Sequence, residues 1–171
     1  MQLKENIMLT KNVIRSGLLA IALASASSIP AHADAVIKVS LWDKGGMMDM
    51  SKSMGLGMGM HGKMAMAIMG IKIDKQTVPA GKVTFDVTND AKETVHEMLI
   101  SPVKDENTVL PFVENENRVD EEASGDLGEV SELEPGKAGS LTLDLKPGNY
   151  ILFCNVPGHY MAGMWTALKV E

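Results

Sequence analysis

The feature that most limits how this chain can fold is a series of short runs in which apolar and polar residues alternate, separated by proline and glycine. Val83-Thr84-Phe85-Asp86-Val87-Thr88 and Leu141-Thr142-Leu143-Asp144-Leu145 have the period of two that sends successive side chains to opposite faces of a strand. Ile71-Lys72-Ile73-Asp74 is a shorter instance and Ala35 to Leu41 a weaker one. Tyr150-Ile151-Leu152-Phe153-Cys154 is apolar throughout, as expected of a strand buried on both faces, and Trp165 to Val170 also suits a strand. Pro79-Ala80-Gly81, Pro135-Gly136 and Pro147-Gly148 each stand a few residues before such a run. Proline presets a turn dihedral, and glycine adopts the conformation other residues resist. Short strands, regular turns and little helical periodicity predict an all-β antiparallel sandwich or barrel. Two stretches lie outside the pattern: Lys104 to Glu134, acidic and predicted to be an irregular excursion with at most a short helix, and Gly45 to Gly70, rich in methionine and glycine.

The first 33 residues read as a removable leader. Lys4, Lys11 and Arg15 give a basic start, the run from Gly17 to Ala24 is apolar, and Ala31-His32-Ala33 supplies a small-x-small cleavage pattern. The apolar run is well short of the ~20 residues of a spanning helix, and Ser25, Ser27, Ser28 and Pro30 break it. Signal peptide 1–33 and one domain, 34–171, are therefore expected, with a periplasmic or secreted location and no membrane span after cleavage. The leader takes three of the 16 basic and one of the 22 acidic residues, leaving 13 against 21 and a net charge of −8. That balance excludes nucleic acid and anionic membranes as partners and suits a basic protein partner; a monomer is expected.

Cys154 is the only cysteine. In an exported chain an unpaired thiol is open to oxidation unless it is tied up by a metal or simply buried as a small apolar residue. The segment Cys154-Asn155-Val156-Pro157-Gly158-His159-Tyr160-Met161-Ala162-Gly163-Met164 presents thiolate, imidazole and thioether at five-residue intervals, directly after the buried strand. Such soft and borderline ligands suit copper in both oxidation states. A second imidazole is needed. Of the four histidines, His32 leaves with the leader and His61 sits in the methionine-rich stretch, so His96 remains, near the start of the run Val95 to Ile100. Taken singly, each residue has a plainer reading as a structural histidine, a core cysteine or a packed methionine. Their joint order and spacing in a β-rich exported chain point to copper. Met161 is a rival to Met164, but one intervening residue after His159 is a poor spacing for a second ligand.

His96 followed by Cys154, His159 and Met164, with the spacing C-x4-H-x4-M and the wording Pro-Gly-His…Gly-Met, resembles the cupredoxin family of blue copper proteins, the plastocyanin/azurin-like group, and most of all its rusticyanin-like members. The resemblance implies a Greek-key β-sandwich of seven or eight strands and a single type 1 copper. It makes His96 and His159 the nitrogen ligands, Cys154 the thiolate and Met164 the axial sulfur. It also implies one-electron transfer at the exposed edge of His159, to or from a redox protein such as a cytochrome or a copper oxidase or reductase. Four protein ligands leave no open position for substrate, so an enzyme is not expected. A multicopper oxidase needs many more histidines, and a dinuclear centre a second cysteine.

Met47, Met48, Met50, Met54, Met58, Met60, Met64, Met66 and Met69 lie within 23 positions, nine of the chain's 14 methionines, and residues 45–70 hold seven glycines among and beside them. Glycine disfavours packed helices and strands alike, so residues 45–70 are expected to form a flexible insertion in the sandwich. Thioethers wrap Cu(I) without a change of charge, and His61 adds a nitrogen. These ten side chains are thus candidates for a secondary Cu(I) site serving copper loading, storage or resistance, with a copper-transfer partner. A docking surface of adaptable methionines is the competing reading.

Overall fold

The computed structural model describes residues 34–45, 68–105 and 107–171. The alternating runs are strands with their apolar positions turned to one side. In β1 (Ala35–Asp43), Ala35, Ile37, Val39 and Leu41 are buried, and in β4 (Gly81–Asn89) so are Val83, Phe85 and Val87. With β2 (Met69–Ile73) and β9 (Ala138–Leu145) these strands form a sheet in the order β2-β1-β4-β9. The second sheet has the order β3-β11-β10-β5-β8, from β3 (Thr77–Val78), β5 (His96–Val103), β8 (Glu129–Leu133), β10 (Gly148–Phe153) and β11 (Trp165–Val170). The two sheets face one another across a shared core in which Ile37, Val83 and Phe85 meet Met98, Ile100, Leu152 and Leu168. The all-β sandwich expected from the sequence is present.

Two details differ from the expectation. The sheets are mixed: β1 runs parallel to β4, and β3 parallel to β11. A parallel pair needs a crossover, and the chain supplies one by leaving β2 for β3 in the opposite sheet before returning as β4. The acidic excursion is also less irregular than its composition predicts. It contains the small hairpin β6 (Phe112–Val113) and β7 (Arg118–Val119), the single turn α1 (Glu121–Ser124), and β8, which pairs with β5 at the sheet edge. The apolar signal of β8 is one buried residue, Val130, too little for periodicity to register.

The excursion explains why β5 and β10 are buried on both faces. Leu99, Ile151, Phe153 and Trp165 point away from the shared core and are covered by Leu110, Val119 and Tyr160, with Phe112 partly buried beside them. Sheet two is therefore the middle layer, and its strands carry the buried ends from which the site is built. Of the methionine-rich stretch, only Gly45 and Ile68–Gly70 are described; Met47, Met48, Met50, Met54, Met58, Met60, His61, Met64 and Met66 lie outside the described residues. Met69 is the first residue of β2, pairs with Asp43 and is buried in the core, so for it the core-filler reading holds and the insertion ends earlier than residue 70.

Candidate metal centre

His96 opens β5, and its position is set by the loop before it. Asn89, fully buried at the end of β4, donates through Nδ2 to the carbonyls of Thr94 (2.9 Å) and Leu133 (2.7 Å), while its Oδ1 accepts from the Ala91 amide (3.0 Å). One amide side chain thereby ties the end of β4, the approach to β5 and the end of β8 together. Cys154 follows the last residue of β10. Its amide donates to the Met164 carbonyl at 3.0 Å, and the Met164 amide donates to the His159 carbonyl at 3.0 Å, so the loop returns to the strand that launched it. Gly158 (φ 86°) and Gly163 (φ 92°) occupy the left-handed backbone region at the two bends, where a side chain would be strained.

The loop is also fastened from outside. Asn155 is fully buried; its Oδ1 accepts from the Val119 amide (2.7 Å), and its Nδ2 donates to the Val119 carbonyl (3.0 Å) and to Glu121 Oε1 (2.8 Å). The Gly158 amide donates to the Asn117 carbonyl at 2.7 Å. The acidic excursion thus buttresses the Cys154–Met164 loop through its backbone, which no charge pattern in the sequence announces.

Three of the four residues singled out from the sequence converge. His96 Nδ1 lies 3.2 Å from His159 Nδ1, and Cys154 Sγ lies 3.4 Å from His159 Nδ1 and 4.0 Å from His96 Nδ1. One donor atom from each falls within 4.8 Å of the others, and all three residues are buried. Met164, the fourth, is fully buried and shares the core cluster with Cys154; Met161 is half-exposed, which favours Met164 as the inward-facing thioether. His96 is 0% and His159 5% exposed, so the loop histidine is the more exposed of the two. Half-buried Val156, Met161 and Ala162 of the same loop give it an apolar rim.

The electrostatics are those of a dry pocket. Burial, followed by the neighbouring His96, lowers the His159 pKa to about 4, against a smaller opposing pull from Asp43. Burial likewise lowers that of His96, with Asp43 acting in the opposite direction. Both imidazoles are therefore neutral at pH 7 and hold free lone pairs. Burial pushes the Cys154 thiol up to about 12, although the amides of Glu97 and Val156 favour the thiolate and the Glu97 amide donates to Sγ at 3.5 Å. A thiol so placed ionises when a cation takes the place of its proton. Two neutral imidazole nitrogens and a proton-exchanging thiol, converging in a core that also buries the Met164 thioether, fit one soft or borderline metal ion, copper above all.

A β-sandwich with such a buried donor set defines a mononuclear metal protein. The model of the plastocyanin/azurin family of copper-binding proteins matches residues 60–171, and the chain belongs to that family, with copper as its cofactor. Rusticyanin from Thiobacillus ferrooxidans shares the fold, with a TM-score of 0.50 at 16% identity over 80% of this chain and 77% of its own. Auracyanin from Roseiflexus castenholzii aligns with a TM-score of 0.49 at 18% identity over 82% of this chain and 99% of its own. Auracyanin A, a "blue" copper protein from Chloroflexus aurantiacus, aligns with a TM-score of 0.46 at 18% identity over 81% of this chain and 100% of its own. No curated protein sequence matches the chain significantly.

Glu97, which sequence reasoning passed over, adds a titration of opposite sign. Burial pushes its carboxyl up to about 7, helped by Glu129, Glu121 and Glu132 and opposed by Arg118. Between pH 6.5 and 4 the unfolded chain takes up a proton that folded His159 refuses, so stability falls on acidification. Between pH 4.5 and 7 folded Glu97 keeps a proton that the unfolded chain releases, so stability falls as pH rises. Glu97 thus offsets part of the histidine effect, to which the lowered His96 adds, and the metal-free protein is expected to have a shallower stability profile from pH 4.5 to 6.5 than the histidines alone would give. In Glu97→Gln the profile should steepen, with stability rising by on the order of 2 kcal/mol more than in the wild type across that window, after discounting for partial exposure. Urea midpoints at four pH values measure this; a variant profile with the wild-type slope would contradict it.

Proposed function

We propose that this chain is an exported one-electron carrier in which His96, Cys154, His159 and Met164 hold a single type 1 copper. The observation that carries the reading is the convergence of one thiol and two neutral imidazole nitrogens within 4.8 Å in a buried pocket, built on a chain of the copper-binding family. When bound, copper supplies the one-electron couple between Cu(I) and Cu(II). The residues supply everything else. The Cys154–Met164 backbone bond and the amide clamps of Asn89 and Asn155 hold the loops that carry the donors, so that they do not rearrange between oxidation states. The Glu97 amide, donating to Cys154 Sγ, disperses thiolate charge. His159, the more exposed of the two imidazoles, provides the edge through which an electron passes, and its apolar rim permits close approach of a partner.

Export is supported by the leader-like residues 1–33 and by the single thiol, which a bound metal would protect in an oxidising compartment. No helix among the described residues is long and apolar enough to cross a membrane. The charge of −8 on residues 34–171 suits a basic redox partner, a cytochrome or a copper oxidase or reductase. With Cu(II) added, residues 34–171 should show an intense visible thiolate band that Cys154→Ser abolishes. A colourless wild type that still retains copper would overturn the type 1 assignment.

A second reading rests on the methionines within residues 45–70: copper handling by a periplasmic chaperone, store or resistance factor. Deleting residues 46–67 decides between the two roles. For an electron carrier, the visible band and electron exchange with a cytochrome survive the deletion and copper tolerance of the host is unchanged. Loss of tolerance with electron exchange intact would make handling the principal role.

A further inference from the structure

Asp43 ends β1, and its carboxylate is used in two directions. Oδ1 accepts from the Gly45 amide at 3.0 Å, an ordinary local turn contact that asparagine or serine would make as well. Oδ2 faces His96 Nε2 at 3.5 Å, with the two side chains 5% and 0% exposed. Among the described residues, three buried side-chain nitrogen or oxygen atoms lack a hydrogen-bond partner within normal geometry, and Asp43 Oδ2 and His96 Nε2 are two of them. The two atoms face each other as a buried carboxylate–imidazole pair. A carboxylate taken out of water and left short of donors costs stability, and the turn at Gly45 does not require a charge. What remains unexplained by local structure is a negative charge aimed at the back of the imidazole whose other nitrogen points at Cys154 and His159.

We propose that Asp43 is the positioning residue of the metal centre: its carboxylate receives the Nε2–H of His96, which fixes the tautomer and leaves the Nδ1 lone pair directed at the metal position. The inference rests on the ligand set proposed above. Its physical content is that neutral imidazole carries one proton, on one of two nitrogens, and the neighbour of one nitrogen decides which. With Nδ1 of His96 facing the equally neutral His159 at 3.2 Å, nothing on that side dictates the choice. The carboxylate does. It also makes Nδ1 a stronger base, which favours Cu(II) over Cu(I).

The test uses the full mature chain, wild type and Asp43→Asn, with and without copper. Asparagine keeps the size and the acceptor for Gly45 while removing the charge. In the metal-free wild type, nitrogen-15 NMR of the imidazoles should show His96 protonated at Nε2. With copper, Asp43→Asn should retain the thiolate band but bind Cu(II) about 10- to 100-fold more weakly. Its reduction potential should rise by ~59 mV for each tenfold loss that falls on Cu(II) alone, and Asp43→Glu should move it back toward wild type. A wild-type His96 protonated at Nδ1 would overturn the proposal without any variant, as would an Asp43→Asn protein with an unchanged potential. Failure of the wild type to form the thiolate band would instead overturn the ligand set, while the tautomer measurement would still judge Asp43.

Discussion

The hydrogen bond from the Cys154 amide to the Met164 carbonyl is the contact on which the rest of the site depends. It closes the loop that follows β10 onto the strand itself, and so brings into one buried volume a thiol and a thioether whose positions in the chain are ten apart. His159 is carried inside that closed loop by its own bond to the Met164 amide. Only His96 comes from elsewhere, and it arrives because β5 lies beside β10 with Leu99 opposite Phe153, which places the two strand ends at the same edge of the sheet. The chemistry then follows from desolvation. Both imidazoles are kept neutral and the thiol is kept protonated in the absence of a cation, so the pocket stores lone pairs that water does not satisfy. A metal relieves that cost, and its binding energy becomes folding energy.

Holding such a pocket open demands rigidity around it. The sandwich provides this through buried amides at two corners: Asn89 locks the approach to His96, and Asn155 locks the loop to the hairpin β6–β7 and to α1. Neither side chain belongs to the donor set. Each satisfies backbone groups that would otherwise be orphaned where strands end in the interior, and losing one leaves buried groups unpaired at roughly 1–3 kcal/mol apiece. The acidic excursion has the same logic on a larger scale. It covers the outer face of sheet two with Leu110, Val119 and Tyr160, and its carboxylates reinforce the burial that raises the pKa of the Glu97 carboxyl.

Much of this was legible in the sequence, for identifiable reasons. Period-two runs such as Val83–Thr88 and Leu141–Leu145 face a core on one side only and so reveal their strands. The unbroken apolar run Tyr150–Cys154 signals a strand covered on both sides. The spacing of Cys154, His159 and Met164 is local, so a single loop encodes it. Long-range partners were readable only where composition left few choices, as for His96, one of four histidines. What stayed hidden depends on tertiary contact. β8 buries one residue; Asn89 and Asn155 look like any polar loop residues; the second layer over sheet two is built from scattered apolar side chains; and Asp43 becomes significant only when β1 is placed beside β5. The parallel pairing of β1 with β4 is a matter of topology, to which strand patterns are blind.

Copper K-edge X-ray absorption on the copper-loaded mature protein tests the central claim most directly, because it reads the donor atoms themselves. Convergence of His96, Cys154 and His159 predicts two imidazole scatterers and one short, strongly bound sulfur in the Cu(II) protein. The same set should persist, with little rearrangement, after reduction to Cu(I). A first shell made of several equivalent thioether sulfurs with no imidazole would contradict the account, and would place copper among the methionines instead of in the pocket at the end of the sandwich.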